Sequence, residues 1–178
     1  MIRLFAAIAL PGDIAALLVA HQTGLRDVRW RTAETLHITL RFFGDVDERR
    51  AEDIAAALEC AAGEAFDLSL TGVGAFGEGE RVRAVWAGLQ EKPALRQLAA
   101  RCETAVRQAG CTPETRKFAP HITLAYLRRA EPAEVAAWIA GNNLLRAPPF
   151  TVRRFGLYSS WPGEAGSRYE LERFYLLR

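Results

Sequence analysis

The tetrapeptide His37-Ile38-Thr39-Leu40 returns, letter for letter, as His121-Ile122-Thr123-Leu124. These two copies hold two of the three histidines in a chain of 178 residues. In an extended strand, residues i and i+2 point to the same face. His37 and Thr39 therefore share one face, and Ile38 and Leu40 point to the other. His121 and Thr123 repeat the arrangement. Each strand offers an imidazole beside a hydroxyl, with an apolar back that fits a core.

The similarity is wider than four letters. The run from His37 to Glu59 reads as strand, charged turn and alanine-rich helix, and the run from His121 to Gly141 has the same order. This suggests two related lobes, each supplying one histidine-bearing strand. The remaining pattern fits that reading. Residues 2–10 read as a core strand, and Pro11-Gly12-Asp13 opens a helix with Asp13 as its N-cap. Residues 28–31 form a short strand, 36–43 a second apolar strand ended by Gly44-Asp45, and 48–62 a helix. Residues 66–76 and 82–89 alternate around a Gly-Glu-Gly-Glu turn and read as a hairpin. A helix over 93–110 starts at proline and ends at glycine. A strand over 121–127 and a helix over 132–140 follow. Residues 150–159 and 168–177 close the chain as a hairpin around Pro162-Gly163. The expected class is α+β: one domain over residues 1–178, made of two antiparallel-rich sheets with outer helices, pseudo-twofold symmetry and a cleft between the lobes.

Composition narrows the function. Half the residues are hydrophobic and a quarter charged, and 23 basic residues against 21 acidic ones leave a net charge of +2. That balance gives no electrostatic case for gripping a long duplex, while a small anion or a nucleic-acid end remains open. Three cysteines without a C-x-x-C exclude a zinc ribbon and suit a reducing cytoplasm. Cys60 and Cys102 read as buried thiols in helical runs. The apolar start is broken by Pro11-Gly12-Asp13 and reads as a strand, not a signal peptide. No stretch is long and apolar enough to span a membrane as a helix. The chain is read as a monomer.

Two histidines facing two threonines suit in-line cleavage of a phosphodiester. Such cleavage needs a base for the attacking oxygen and an acid for the leaving oxygen, and histidine serves both near neutral pH. The threonine hydroxyls can donate to the non-bridging oxygens. No metal or other cofactor is called for, because no H-E-x-x-H or acidic cluster accompanies the pair. His21 stands alone and reads as a boundary residue of a helix. Two rival readings use the same residues: a binding module for nucleotides or RNA ends, and a cysteine hydrolase built on Cys111.

Paired H-x-T motifs, one per lobe, resemble the two-histidine (2H) phosphoesterases. Further stretches resemble the branch of RNA 2′,3′-cyclic phosphodiesterases, also called 2′-5′ RNA ligases: residues 3–8, Glu34 to Gly44, Gly72 to Phe76 with Val85 to Gly88, and Phe118 to Leu124. The resemblance implies hydrolysis of an RNA terminal 2′,3′-cyclic phosphate to a 2′-phosphate in a metal-free cleft, with 2′-5′ ligation as the reverse chemistry. It implies His37 as proton donor and His121 as proton acceptor, with Thr39 and Thr123 on the phosphate. The substrates it implies are RNA ends or nucleotides bearing the cyclic phosphate.

One position departs from the family pattern. Many relatives carry a phosphate-binding arginine shortly after the second motif, where this chain has Tyr126, with Arg128 and Arg129 beyond it. Phe42 is the matching residue of the first half. The two aromatics suit stacking on a base or ribose, or packing in the core. Arg116, Lys117, Arg153 and Arg154 read as surface charge able to guide an RNA end. The contrast of Arg41-Phe42-Phe43 with Ala125-Tyr126-Leu127 is the expected source of any difference between the two histidines.

Overall fold

In a computed structural model, residues 1–129, 131–163 and 166–178 are described. The chain runs β1 (Ile2–Ala9), α1 (Gly12–Ala20), β2 (Val28–Trp30), β3 (His37–Val46), α2 (Glu48–Leu58), β4 (Phe66–Leu68), β5 (Leu70–Phe76), β6 (Ala84–Leu89), α3 (Pro93–Gln108), β7 (His121–Leu127), α4 (Pro132–Asn142), β8 (Phe150–Val152), β9 (Arg154–Gly163) and β10 (Gly166–Leu176). The mixed, antiparallel class expected from the sequence is the class observed.

The main sheet has the order β10-β9-β1-β3-β7-β6-β5, and β2 pairs with β7. It consists of two halves that meet at the two motif strands. β3 carries β1, β9 and β10 on one side, and β7 carries β2, β6 and β5 on the other. The join is slight, with Ile38 opposite Ile122 as the registered pair between β3 and β7. An antiparallel register centred there directs His37 toward Thr123 and His121 toward Thr39. The local twofold of the repeat thus passes through the two isoleucines, both fully buried.

Each motif strand carries a β-bulge just after its threonine. In β3, Ala7 pairs with Thr39 but Ala6 pairs with Arg41, so Leu40 is the extra residue. In β7, Trp86 pairs with Thr123 but Val85 pairs with Ala125, so Leu124 is the extra residue. A bulge shifts the alternation of faces by one. Arg41 and Ala125 therefore turn to the core side, where Arg41 pairs with Glu103 of α3 and Ala125 is fully buried. Phe42 and Tyr126 turn to the face that holds the histidines. Without the bulges both aromatics would point into the core.

Helices cover the opposite face. α2 and α3 pack on each other and on β1 and β3. α4 packs on β5, with Trp138 against Trp30 of β2 at 6.3 Å between ring centroids. α1 buries Ile14, Ala15 and Leu18. Ile38, Leu40, Ile122 and Leu124 all join this core and anchor the backs of both motifs. Burying a residue of this size is worth about 1.5–3 kcal/mol.

Several expected boundaries are corrected. Asp13 is not an N-cap: Pro11 holds that place, no side chain caps the helix, and Asp13 sits in the first turn. There its charge meets the positive end of the helix dipole. The strand from His37 does not stop at Gly44-Asp45 but runs to Val46. Gly44 adopts φ +77° at a second bulge, and Asp45 pairs with Arg3 at 2.8 Å. Residues 66–76 and 150–159 are each split, and the fragments β4 and β8 pair together as a separate two-stranded sheet. Cys60 is exposed, not buried, and lies in a short 3₁₀ turn at Glu59–Ala61 in which Ala61 takes the core side. β9 and β10 form the expected closing hairpin, with residues 164 and 165 of its turn outside the described residues.

Candidate active site

One cleft of about 200 Å³ is lined by Phe5, Arg31, His37, Thr39, Phe42, His121, Thr123, Tyr126, Ser160 and Tyr169. All six residues singled out from the sequence line it together. Phe42 and Tyr126 are each 42% exposed, so both are available surfaces and not core aromatics.

The two histidines are oriented by the same device. His37 Nδ1 donates to the Thr35 carbonyl at 2.8 Å, and His121 Nδ1 donates to the Ala119 carbonyl at 2.7 Å. In both cases the acceptor lies two residues upstream. A carbonyl can only accept, so Nδ1 carries hydrogen in each ring. The free Nε2 then holds a lone pair when the ring is neutral and a proton when it is charged. Each imidazole is equipped to take or give one proton at one atom.

Their surroundings differ. His37 lies between Phe5, at 5.0 Å between centroids, and Tyr169, edge-on at 5.2 Å. His121 meets Phe76 edge-on at 4.7 Å and Trp86 at 6.5 Å. Burial pushes the His37 imidazole down to about 4, and the charges of Arg31 and His121 push the same way; the bond to Thr35 opposes them. Desolvation disfavours the charged form of a base. In the ligand-free protein His37 is therefore neutral at pH 7.

Sequence reading missed six residues of this environment: Phe5 and Tyr169 around His37, Phe76 and Trp86 beside His121, and Arg31 and Ser160 in the lining. Only Arg31 left a recoverable signal. β2 alternates Val28, Arg29, Trp30 and then Arg31, so an arginine follows the tryptophan on the opposite face. That phase becomes informative once β2 is known to pair with β7.

Gly74 explains part of the central hairpin. It sits opposite Trp86, and a Cβ there would lie 2.3 Å from the indole. Gly74→Ala should displace Trp86 and lower stability by roughly 1–3 kcal/mol, the range for overpacking. Denaturant melts read the stability, and the His121 ring resonances should move with it.

The other charged and titratable residues weighed from the sequence lie elsewhere. Arg128 lines a separate depression with Asp27, Arg29 and Trp30. Arg153 and Arg154 line an apolar groove beside Phe174. Arg116 pairs with Glu114 at 3.5 Å, and Lys117 is exposed outside the cleft. His21 bonds Asn142 at 2.7 Å, tying the end of α1 to α4. Cys111 is not a cleft residue; it packs against the core, and burial pushes its thiol up. That removes the reading as a cysteine hydrolase, which needs a thiolate beside the reacting bond. Among the described residues no three His, Cys, Asp or Glu side chains converge as metal ligands, and no helix is long and apolar enough to cross a membrane.

A cleft lined by two histidines, each held through Nδ1, between two halves of one sheet is a specific constellation. The sequence also matches the family model of the 2′-5′ RNA ligase superfamily over residues 12–162. This chain belongs to that superfamily. A relative from Escherichia coli, named RNA 2′,3′-cyclic phosphodiesterase, is 32% identical over 171 residues, 94% of this chain and 92% of its own length. A relative of the same name from Aeropyrum pernix is 39% identical over 98 residues, 54% of this chain. The chain spans about half the length of some relatives it matches: 56% for that protein and 42% for one from Geobacillus stearothermophilus. Among solved structures, TT0787 of Thermus thermophilus aligns at TM-score 0.81 and 25% identity, over 99% of this chain and 98% of that one. E. coli LigT complexed with 3′-AMP aligns at 0.77 and 30% identity, again over 99% and 98%.

Proposed function

We propose that this protein hydrolyses RNA terminal 2′,3′-cyclic phosphates to 2′-phosphates, by general acid–base catalysis between His37 and His121 and without a metal ion. The observation that carries the reading is the matched pair of imidazoles. Both are locked through Nδ1 to a carbonyl, which leaves Nε2 for proton transfer, and both line one cleft with Thr39 and Thr123. Simple binding of a phosphate gives no reason for two such proton-transfer groups. The relatives named as cyclic phosphodiesterases support the same chemistry, and the E. coli structure with 3′-AMP supports a nucleotide ligand.

In the proposed reaction His121 Nε2 takes a proton from water as the water oxygen bonds to phosphorus. The P–O3′ bond breaks on the opposite side, and His37 Nε2–H protonates the departing 3′-oxygen. The threonine hydroxyls donate to the non-bridging oxygens. Phe42 and Tyr126 flank the nucleoside. His121 ends protonated and His37 neutral, and exchange with solvent resets both. With a 5′-hydroxyl attacking in place of water and the 3′-oxygen again departing, the same groups would join 2′-5′ ends weakly.

His37 must hold a proton to act as donor, yet in the free protein it titrates at about 4. An anionic phosphate within about 4–6 Å favours the charged imidazole and raises its pKa by 1–3 units. The donor is thus charged by its own substrate. The pH dependence follows with a definite sign. The ratio kcat/KM reports the free enzyme and kcat the complex. The alkaline limb of kcat/KM should lie at lower pH than the alkaline limb of kcat.

The test is turnover of an oligoribonucleotide ending in a 2′,3′-cyclic phosphate, in EDTA, with the position of the product phosphate identified. A 2′-phosphate product formed at full rate is expected. Tight binding with no turnover would favour a binding module, and loss of activity in EDTA would remove the metal-free mechanism.

A further inference from the structure

We infer that Arg31 is the phosphate-gripping cation of this cleft and the residue that makes its two halves unequal. The inference deepens the proposed reaction and rests on it for the identity of the anion.

Arg31 is the only buried charged side chain among the described residues, at 7% exposure. None of the ion pairs among the described residues includes it. Its one side-chain hydrogen bond is a long one, from Nη2 to the Thr35 carbonyl at 3.5 Å. A buried cation without a counter-charge is costly, and a stable fold retains one when a partner arrives to offset it. The guanidinium is held in place for that partner. Its carbon lies 5.0 Å from the Tyr169 ring centroid and 5.9 Å from that of Tyr126, and all three residues line the cleft. Its backbone is pinned as well: the amide donates to Leu124 O at 2.8 Å, and Gln22 donates to its carbonyl at 2.8 Å.

The partner must be an anion small enough for the cleft and shaped for a planar fork of donors, which describes a phosphate. The position of Arg31 also breaks the symmetry of the repeat. It shares the Thr35 carbonyl with His37, so it stands on the His37 side. Six residues before His121 the second half has Thr115, which is not in the cleft. A phosphate drawn onto Arg31 is drawn toward His37, where its charge holds the donor proton. Tyr126 lines the same cleft without a charge, and Arg31 approaches its ring to 5.9 Å, so a cation placed at 126 would stand close to the Arg31 guanidinium.

The test begins with the wild-type protein titrated with inorganic phosphate and followed by nitrogen-15 NMR. The Arg31 Nε–H resonance should shift together with the His37 ring. A silent Arg31 side chain while phosphate binds would overturn the inference, with no dependence on turnover or on a variant that folds. Arg31→Gln should weaken phosphate binding and lower kcat/KM about 10- to 100-fold, the range for losing a hydrogen-bonded charge. It should also raise the His37 pKa in the free protein, since a repelling charge is gone. Arg31→Lys should fall between Gln and wild type. Adding Tyr126→Arg to Arg31→Gln should recover at least tenfold of the loss, which a merely structural arginine would not allow. Phosphate affinity within twofold of wild type in folded Arg31→Gln would refute the inference. If phosphate engages Arg31 but the cyclic substrate is not turned over, the proposed reaction fails and this inference stands.

Discussion

His37→Ala and His121→Ala should each lower kcat by about 10²–10⁴-fold on a cyclic phosphate substrate, the usual worth of one general acid or base. The double variant should lose far less than the product of the two factors, because groups that act in one transition state are not additive. Both rings sit at half-buried cleft positions backed by intact strands, so circular dichroism and melting should stay close to wild type. Either folded variant retaining near wild-type kcat would sink the mechanism. The roles can also be separated. A substrate with sulfur in place of the 3′-oxygen has a leaving group that needs no proton. If His37 is the donor, that substrate should largely rescue His37→Ala and leave His121→Ala impaired. The opposite pattern would reverse the assignment, which is what the low ligand-free pKa of His37 taken alone would favour.

The origin of the difference between the two histidines is the point on which sequence reading and structure part. The expected contrast was Arg41-Phe42-Phe43 against Ala125-Tyr126-Leu127, and of these Phe42 and Tyr126 line the cleft. Yet Arg41 faces away, bonded to Glu103 at 2.6 Å and to the Thr112 carbonyl at 2.6 Å. Around His37 the surroundings that set it apart from His121 are Arg31, Phe5 and Tyr169. These residues are distant in sequence from His37 or separated from it by a turn, and they converge only when β1 pairs with β3 and β9, β2 with β7, and β10 with β9. A periodicity within one strand carries no information about which strand lies beside it.

The same limit explains what was legible. His37, Thr39, His121 and Thr123 were readable because a repeat of the residues i and i+2 needs only strand alternation. Phe42 and Tyr126 were readable as a matched pair suited to a base or ribose, but strand alternation alone does not place them in the cleft. Their odd distance from the histidines puts them on the wrong face of a regular strand. Only the bulges at Leu40 and Leu124 bring them round, and neither bulge is marked by a glycine or proline. The pairing of β4 with β8 was hidden for a related reason. Each fragment continues an apolar run that reads as one strand, and the break at Ser69 or Arg153 shows only when the partner is known.

The bulges also bear on the threonines. Each hydroxyl sits at the last residue before the alternation slips, so the backbone on its C-terminal side is fixed by two leucines buried at 5% and 0% exposure. A donor held this rigidly can meet the charge that develops on phosphate oxygens without first reorganising, which is where such donors contribute most. Thr39→Val and Thr123→Val keep shape and strand preference while removing the hydroxyl. Each should lower kcat/KM by about 10- to 10³-fold, with 10²–10³ being the range for a lost oxyanion donor and Arg31 able to compensate in part. Together they should cost more than either alone, leaving the cation as the sole grip on phosphate. Thermal stability should hold, since valine is at home in a strand. The loss should appear in kcat more than in KM, because the hydroxyl bonds strengthen as charge builds. Were both variants to raise KM with kcat unchanged, the threonines would be ground-state contacts, and charge stabilisation would rest on Arg31 and the protonated His37.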